Sequence, residues 1–151
     1  MQLVLSAIHD RIPATRPLVP IEAAMVLLDR DEDEILHAVE SGALGWAWDI
    51  ATPGAERREV RIWRDSLLAL IAGEREPARE WGHVQAMVLP PGDIKTPALC
   101  RLFSCGSTHV HALARAALHV VRGPDAPSGP RAYSVISRAS VSEFLRSRRV
   151  L

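Results

Sequence analysis

Apolar residues recur along this chain at helical spacing in some segments and at alternate positions in others, and the order of these patterns occurs twice. Helical spacing predicts helices at 21–28, 31–41 and 65–72, and alternation predicts strands at 44–50 and 59–63. The same order returns with helices at 96–103, 107–116 and 140–148 and strands at 118–121 and 133–136. The pattern predicts a mainly α fold with small β elements, in the α+β class.

A shift of the sequence by 74 positions aligns the two halves without a gap. Identical pairs after this shift include Ala24/Ala98, Leu28/Leu102, His37/His111, Ala38/Ala112, Leu44/Leu118, Pro53/Pro127, Arg57/Arg131, Arg64/Arg138 and Ser66/Ser140. Internal similarity of this kind is typical of a duplicated small domain. We therefore expect copy one at residues 1–76, a linker with a strand (84–89) at 77–93, and copy two at residues 94–151.

The two halves carry opposite net charges, although the whole chain is neutral. Residues 1–80 contain nine arginines and fifteen acidic residues, a net charge of −6. Residues 81–151 contain eight arginines, Lys95 and three acidic residues, a net charge of +6. A cationic half favours binding to a polyanion such as nucleic acid, but opposite charges also suit contacts between the halves or between two molecules.

Several short motifs occur at corresponding places in the two copies. Those of copy one are Ile21-Glu22-Ala23-Ala24, Ser41-Gly42-Ala43-Leu44, Val60-Arg61-Ile62 and Arg64-Asp65-Ser66-Leu67. Those of copy two are Pro97-Ala98-Leu99, Leu118, Tyr133-Ser134-Val135 and Arg138-Ala139-Ser140-Val141-Ser142-Glu143-Phe144-Leu145. Over residues 18–73 and 94–148, they resemble the winged helix-turn-helix DNA-binding domains of the MerR-like and excisionase-like families. The resemblance implies two tandem domains of this fold and a role in transcription regulation or in directing a recombinase.

The second helix of copy two has a polar side that suits DNA. At about 100° per residue, Gly106, Val110 and Leu113 fall on one side. The opposite side carries four hydrogen-bonding or cationic residues within about a quarter turn of one another, namely Ser107, Thr108, His111 and Arg115. Hydroxyl, imidazole and guanidinium groups are the types that contact base edges and phosphates, so this side is the predicted DNA-binding surface.

The loop between the last two strands of copy two begins at Arg122 and ends at Arg131, and it is rich in proline and glycine. It fits a wing whose arginines reach the minor groove or flanking phosphates. It equally fits a plain surface hairpin with solvated arginines. A basic tail on the last helix fits either phosphate contact or a solvated terminus, and it consists of Arg146, Arg148 and Arg149.

The matching side of copy one is acidic, with Asp33, Glu34 and His37 outward and Asp31 and Glu32 beside them. Like charges would oppose phosphate there, so we do not expect this side to bind DNA. One interpretation is a solvated helix start, where carboxylates suit the helix dipole. The other is a protein-interaction face for a basic surface, including copy two of another molecule.

No catalytic arrangement is indicated by the sequence, which contains no phosphate-binding glycine loop, nucleophile elbow or HExxH pair. Cys100, Cys105, His109 and His111 suggest zinc, but the two histidines point about 160° apart on a helix and the spacing matches no zinc finger. We therefore expect no enzymatic activity, no cofactor and no metal. Two cysteines and the lack of a signal peptide or a long apolar run favour a soluble, cytoplasmic protein.

The favoured hypothesis is a sequence-specific double-stranded DNA-binding protein in which copy two contacts DNA and copy one orients, dimerises or recruits. The expected partners are double-stranded DNA, a second copy of the chain, and a recombinase or the transcription machinery, with no membrane. The rival hypothesis is a protein-interaction adaptor whose opposite charges drive self-association without DNA binding. RNA is a third candidate, but the surface lacks exposed aromatic residues for stacking on single strands.

Overall fold

The computed structural model describes residues 11–122 and 134–150. Arg131 and most of the predicted wing loop lie outside the described residues. The described chain forms seven helices and two three-stranded antiparallel sheets, which confirms the expected α+β class. None of these helices combines the length and the apolar character needed to cross a membrane.

Copy one runs strand, helix, helix, strand, strand, helix. Its elements are β1 (Leu18–Pro20), α1 (Ile21–Leu28), α2 (Glu32–Glu40), β2 (Ala47–Asp49), β3 (Val60–Trp63) and α3 (Arg64–Ile71). The third strand lies in the middle of the sheet, between β1 and β2.

Copy two repeats this order and this sheet topology. After a connecting helix α4 (Trp81–Val88), its elements are β4 (Ile94–Lys95), α5 (Thr96–Phe103), α6 (Ser107–Ala116), β5 (Val120–Arg122), β6 (Val135–Ile136) and α7 (Arg138–Ser147). The last strand again lies in the middle, between β4 and β5.

The strand predicted at 84–89 is wrong, because this segment belongs to α4. Val84 and Val88 are buried in the core of copy two, while Ala86 between them is exposed. A strand would bury alternate residues, whereas burial of residues four apart is the helical pattern. The segment was too short for its sequence alone to separate the two patterns.

Two helices, α3 and α7, begin before their predicted first residues. Helix α7 begins at Arg138, and its cap is Ser137, whose side chain accepts a hydrogen bond from the Ser140 amide at 3.2 Å. The helix predicted at 140–148 therefore begins two residues earlier than expected. The helix predicted at 65–72 likewise begins one residue early, at Arg64, directly after Trp63 at the end of β3.

The two copies match at an offset of 75 residues in their first two helices and of 74 residues afterwards. Asp29 and Ser104 both end their helices in the left-handed conformation, with φ of 51° and 50°. Ile62 and Ile136, 74 apart, are both fully buried in their central strands. Between the start of the second helix and the central strand, copy two therefore has one residue fewer than copy one, which the ungapped alignment does not show.

The copies share part of their hydrophobic core. Strand β3 is buried on both faces: Val60 and Ile62 pack within copy one, while Trp63 joins the core of copy two. Trp46 and Trp48 join the same core and contact Trp81 of α4, with ring centroids 5.9 and 6.2 Å apart, respectively. Packing of this kind makes the second core depend on side chains of copy one.

Residues 148–150 return to copy one and pair with the outer edge of β2. The Asp49 amide donates to the Arg148 carbonyl and the Val150 amide to the Ala47 carbonyl, both at 2.9 Å. The Arg148 guanidinium donates to the carbonyls of Asp49 and Ala51, and the Arg149 guanidinium donates to the Gly45 carbonyl and lies over the Trp46 ring. Two of the three arginines predicted as a basic tail are therefore bonded to copy one.

Candidate nucleic-acid interface

Helix α6 follows α5 after a turn of three residues, Ser104, Cys105 and Gly106. Ser104 has a φ of 50°, a left-handed conformation that costs an ordinary residue about 1–2 kcal/mol. Its hydroxyl donates to the Leu18 carbonyl of copy one at 2.7 Å, which helps to offset that cost. The turn brings the chain into α6, whose first residues, Ser107 and Thr108, lie at the surface.

The structure brings together the four residues predicted on the polar side of α6. Ser107, Thr108, His111 and Arg115 are all exposed on this helix. Val110 and Leu113, on the other side, are fully buried. The burial pattern confirms the helical interpretation of this segment, and it leaves the four polar side chains open to a ligand.

The exposed side of α6 offers hydrogen-bond donors without negative charge. None of the ten residues of the helix is acidic. Arg115 supplies a guanidinium able to contact guanine or phosphate, and the hydroxyls of Ser107 and Thr108 can donate or accept. The absence of carboxylates from α6 means that phosphate would meet no repulsion from the helix itself.

The proposed wing is only partly described. Arg122 ends β5 and pairs in register with Val135 of β6, so its main chain lies where the hairpin begins. Arg131 lies outside the described residues, and the wing hypothesis remains a prediction.

Two exposed cations that sequence reasoning missed are Lys95, directly before α5, and Arg101 on α5. The position of the chain's single lysine at the start of the first helix of the pair could have indicated it, since that helix crosses the DNA backbone in helix-turn-helix complexes.

Fewer cations of copy two are available than its net charge indicates. Arg138 donates through Nε to the Pro90 carbonyl, and Arg146 lies 3.6 Å from the Glu143 carboxylate. Arg148 and Arg149 are bonded to copy one as described above. Among the described side chains, the cationic surface that remains centres on α5 and α6, with Lys95, Arg101 and Arg115 exposed.

The acidic side of copy one is exposed as predicted. Asp33, Glu34 and His37 all lie at the surface of α2. The neighbouring Asp31 caps the helix by accepting a hydrogen bond from the Glu34 amide at 2.8 Å. Part of this acidic cluster therefore has a structural role at the helix start, and the outward residues are left for solvent or a partner.

The inner side of α6 is attached to copy one through His109. Its Nε2 lies 2.6 Å from the Ile50 carbonyl oxygen, and because a carbonyl only accepts, Nε2 carries the proton and donates. Its Nδ1 lies 4.0 Å from the Glu59 carboxylate. His109 and His111 thus face different surroundings although they are two residues apart.

Arg61 of β3 contacts the turn before α6. Its Nε donates to the Phe103 carbonyl at 2.9 Å and its Nη2 donates to the Ser104 carbonyl at 3.2 Å. The residue is only 8% exposed, and the Glu59 carboxylate lies 3.6 Å from it. In the resemblance to winged helix-turn-helix domains this position belongs to the basic strand, but here its charge faces copy two.

The sulfur and imidazole groups near α6 do not form a metal cluster. Within the described residues no three histidine, cysteine or acidic side chains come together as a metal site. Burial raises the pKa of the Cys105 thiol from its usual 9.0 to about 11, and it also raises the pKa of Cys100. Both thiols therefore stay protonated near neutral pH, unlike metal ligands or nucleophiles.

Comparison of the chain with protein-family models, with curated proteins and with solved structures found no match. The function is therefore inferred from the residues and their arrangement.

Proposed function

We propose that this protein binds double-stranded DNA through the exposed side of α6, which enters the major groove. Each copy would be a winged helix-turn-helix domain, with α5 and α6 as the helix pair of copy two and β5 and β6 as its wing. The residues proposed to contact DNA are Ser107, Thr108, His111 and Arg115 of α6, together with the wing arginines Arg122 and Arg131, of which Arg131 lies outside the described residues. The observation that carries the proposal is the exposed, cationic and carboxylate-free side of α6.

The geometry agrees with what a recognition helix needs. A major groove of about 12 Å admits one α-helix, whose first residues then reach base edges. Ser107 and Thr108 occupy the first turn of α6, and Arg115 lies near its end, where it can reach phosphate. Lys95 and Arg101 of copy two add exposed cations on the neighbouring α5.

Copy one has the same topology but a different surface. Its second helix begins with three acidic residues, Glu32, Asp33 and Glu34, where the recognition helix of copy two has hydroxyls. Phosphate would be repelled there, so DNA binding belongs to copy two. One recognition helix contacts few base pairs, and tight binding therefore calls for a dimer or for several molecules on adjacent sites.

A protein of this kind would act in the cytoplasm as a transcription regulator or as a recombination directionality factor. Selection of bound duplexes from a random pool tests the proposal. Enrichment of a common sequence is expected, and a palindrome or direct repeat in it would report the symmetry and spacing of the bound molecules. Failure to enrich any duplex at low salt, where phosphate contacts are strongest, would refute DNA binding.

The second candidate is a protein-interaction adaptor. The observation that favours it is the exposed acidic face of Asp33, Glu34 and His37, which has the opposite charge to α6. Opposite charges on one chain favour head-to-tail association, which salt would weaken. Oligomers that form without DNA and dissociate on replacing Asp33 and Glu34 with Asn and Gln would support this candidate.

A further inference from the structure

We infer that copy one positions the recognition helix of copy two, with Arg61 as the positioning residue. This inference rests on the proposed DNA binding and assigns a task to the acidic copy. Three side-chain contacts join copy one to the turn between α5 and α6 or to α6 itself. They are Arg61 to the Phe103 and Ser104 carbonyls, Ser104 to the Leu18 carbonyl, and His109 to the Ile50 carbonyl.

Arg61 fits the end of α5 in charge and in shape. The last carbonyls of a helix lack partners within the helix and carry a partial negative charge. The planar guanidinium of Arg61 donates to two consecutive carbonyls there, at 2.9 and 3.2 Å. A lysine ammonium is a single point donor and would not hold both carbonyls in the same plane.

The contacts lie on both sides of the turn and therefore fix its direction. Arg61 holds the last residue of α5 and the left-handed Ser104, and His109 holds the first turn of α6 three residues after Gly106. With both ends attached to copy one, α6 cannot tilt about the turn without breaking a hydrogen bond. Base-specific contacts need side chains held to within about half an ångström, and a fixed helix supplies that precision.

The positioning role can be separated from DNA contact because Arg61 is buried. At 8% exposure its guanidinium is turned toward Phe103 and Ser104 and is not available to phosphate. The corresponding residue of copy two, 74 positions on, is Val135, so the repeat itself does not require an arginine there. Arg61 is present where one copy packs on the turn of the other.

The experiment compares Arg61→Met with the unaltered chain on two duplexes, one selected from the random pool and one with its sequence scrambled. We expect affinity for the selected duplex to fall about tenfold, while affinity for the scrambled duplex and the salt dependence of both stay unchanged. Arg61→Lys is expected to recover only part of the loss. An Arg61→Met variant that keeps the full ratio between the two duplexes overturns the inference.

A purely structural role for Arg61 would destabilise the chain and lower both affinities together by reducing the folded fraction, and that outcome would also overturn the inference. Thermal unfolding of each variant measures the folded fraction.

Should Arg61→Met not fold, the combined Ser104→Ala and His109→Gln variant tests the same attachment by the ratio of the affinities for the selected and scrambled duplexes. If the unaltered chain enriches no duplex, the proposed function itself fails, which is distinct from an unchanged ratio in the variant.

Discussion

The imidazole of His109 donates a hydrogen bond to the Ile50 carbonyl at 2.6 Å, across the boundary between the two copies. This bond joins the proposed recognition helix to the end of β2 in copy one, 59 residues earlier in the chain. His111, only two positions further along α6, is exposed on the side of the helix proposed to contact DNA. One helix thus carries one histidine bonded to copy one and one histidine exposed at the surface.

The histidine pair gives the first prediction. His109→Ala removes a partly buried hydrogen bond and should lower the free energy of unfolding by about 1–2 kcal/mol. His111→Ala should change it by no more than about 0.5 kcal/mol, because the side chain is exposed, but it should weaken DNA binding. Urea unfolding and a duplex titration of both variants check this. Equal stability losses in the two variants would contradict the assignment of His109 to the inner side.

Arg115→Ala gives the second prediction. Loss of its guanidinium should reduce affinity for the selected duplex about tenfold, and the slope of log affinity against log salt should fall by about one if Arg115 contacts a phosphate. The measurement is a binding titration repeated at several salt concentrations. Arg30→Ala is the matched control, since it removes the same charge from an exposed position in copy one. Similar losses in both variants would point to nonspecific charge attraction.

Arg148 gives the third prediction. Arg148→Ala breaks hydrogen bonds to the Asp49 and Ala51 carbonyls and should destabilise the fold by about 1–3 kcal/mol. Arg146→Ala loses only an exposed contact with Glu143, for which we expect at most about 0.5 kcal/mol. Thermal unfolding of the two variants measures the difference. A stable Arg148→Ala variant would mean that the attachment of residues 148–150 contributes little.

Cys105 gives the fourth prediction, on pH. Burial raises its pKa from 9.0 to about 11, so the folded state keeps the thiol proton that the unfolded chain releases above pH 9. Stability should therefore decline as pH rises from 9 to 11, and Cys105→Ser should reduce that decline. In a Cys100→Ser background, iodoacetamide should modify native Cys105 at pH 9 much more slowly than it modifies the urea-unfolded chain. Equal rates would contradict the raised pKa.

Helical spacing was sufficient to predict which side of α6 is exposed, because Val110 and Leu113 are buried by their position on the helix. The attachment of α6 to copy one could not be predicted in the same way. Arg61 occupies a strand position, and its acceptor carbonyls are 42 and 43 residues away in the sequence. Contacts between distant segments leave no periodic signal. Helix α4 was mispredicted because eight residues are too few to distinguish helical spacing from alternation. Its buried positions are Val84 and Val88.

The pairing of residues 148–150 with β2 affects how the chain reaches its native state. The Asp49 amide and the Arg148 carbonyl are brought together only after nearly a hundred intervening residues have been made. Because such a distant pairing closes a large loop, assembly of the amino-terminal sheet is expected to be slow and to finish after the ribosome has released residue 150. Heating should then melt the whole molecule in a single cooperative transition, since neither half keeps its full set of neighbours without the other.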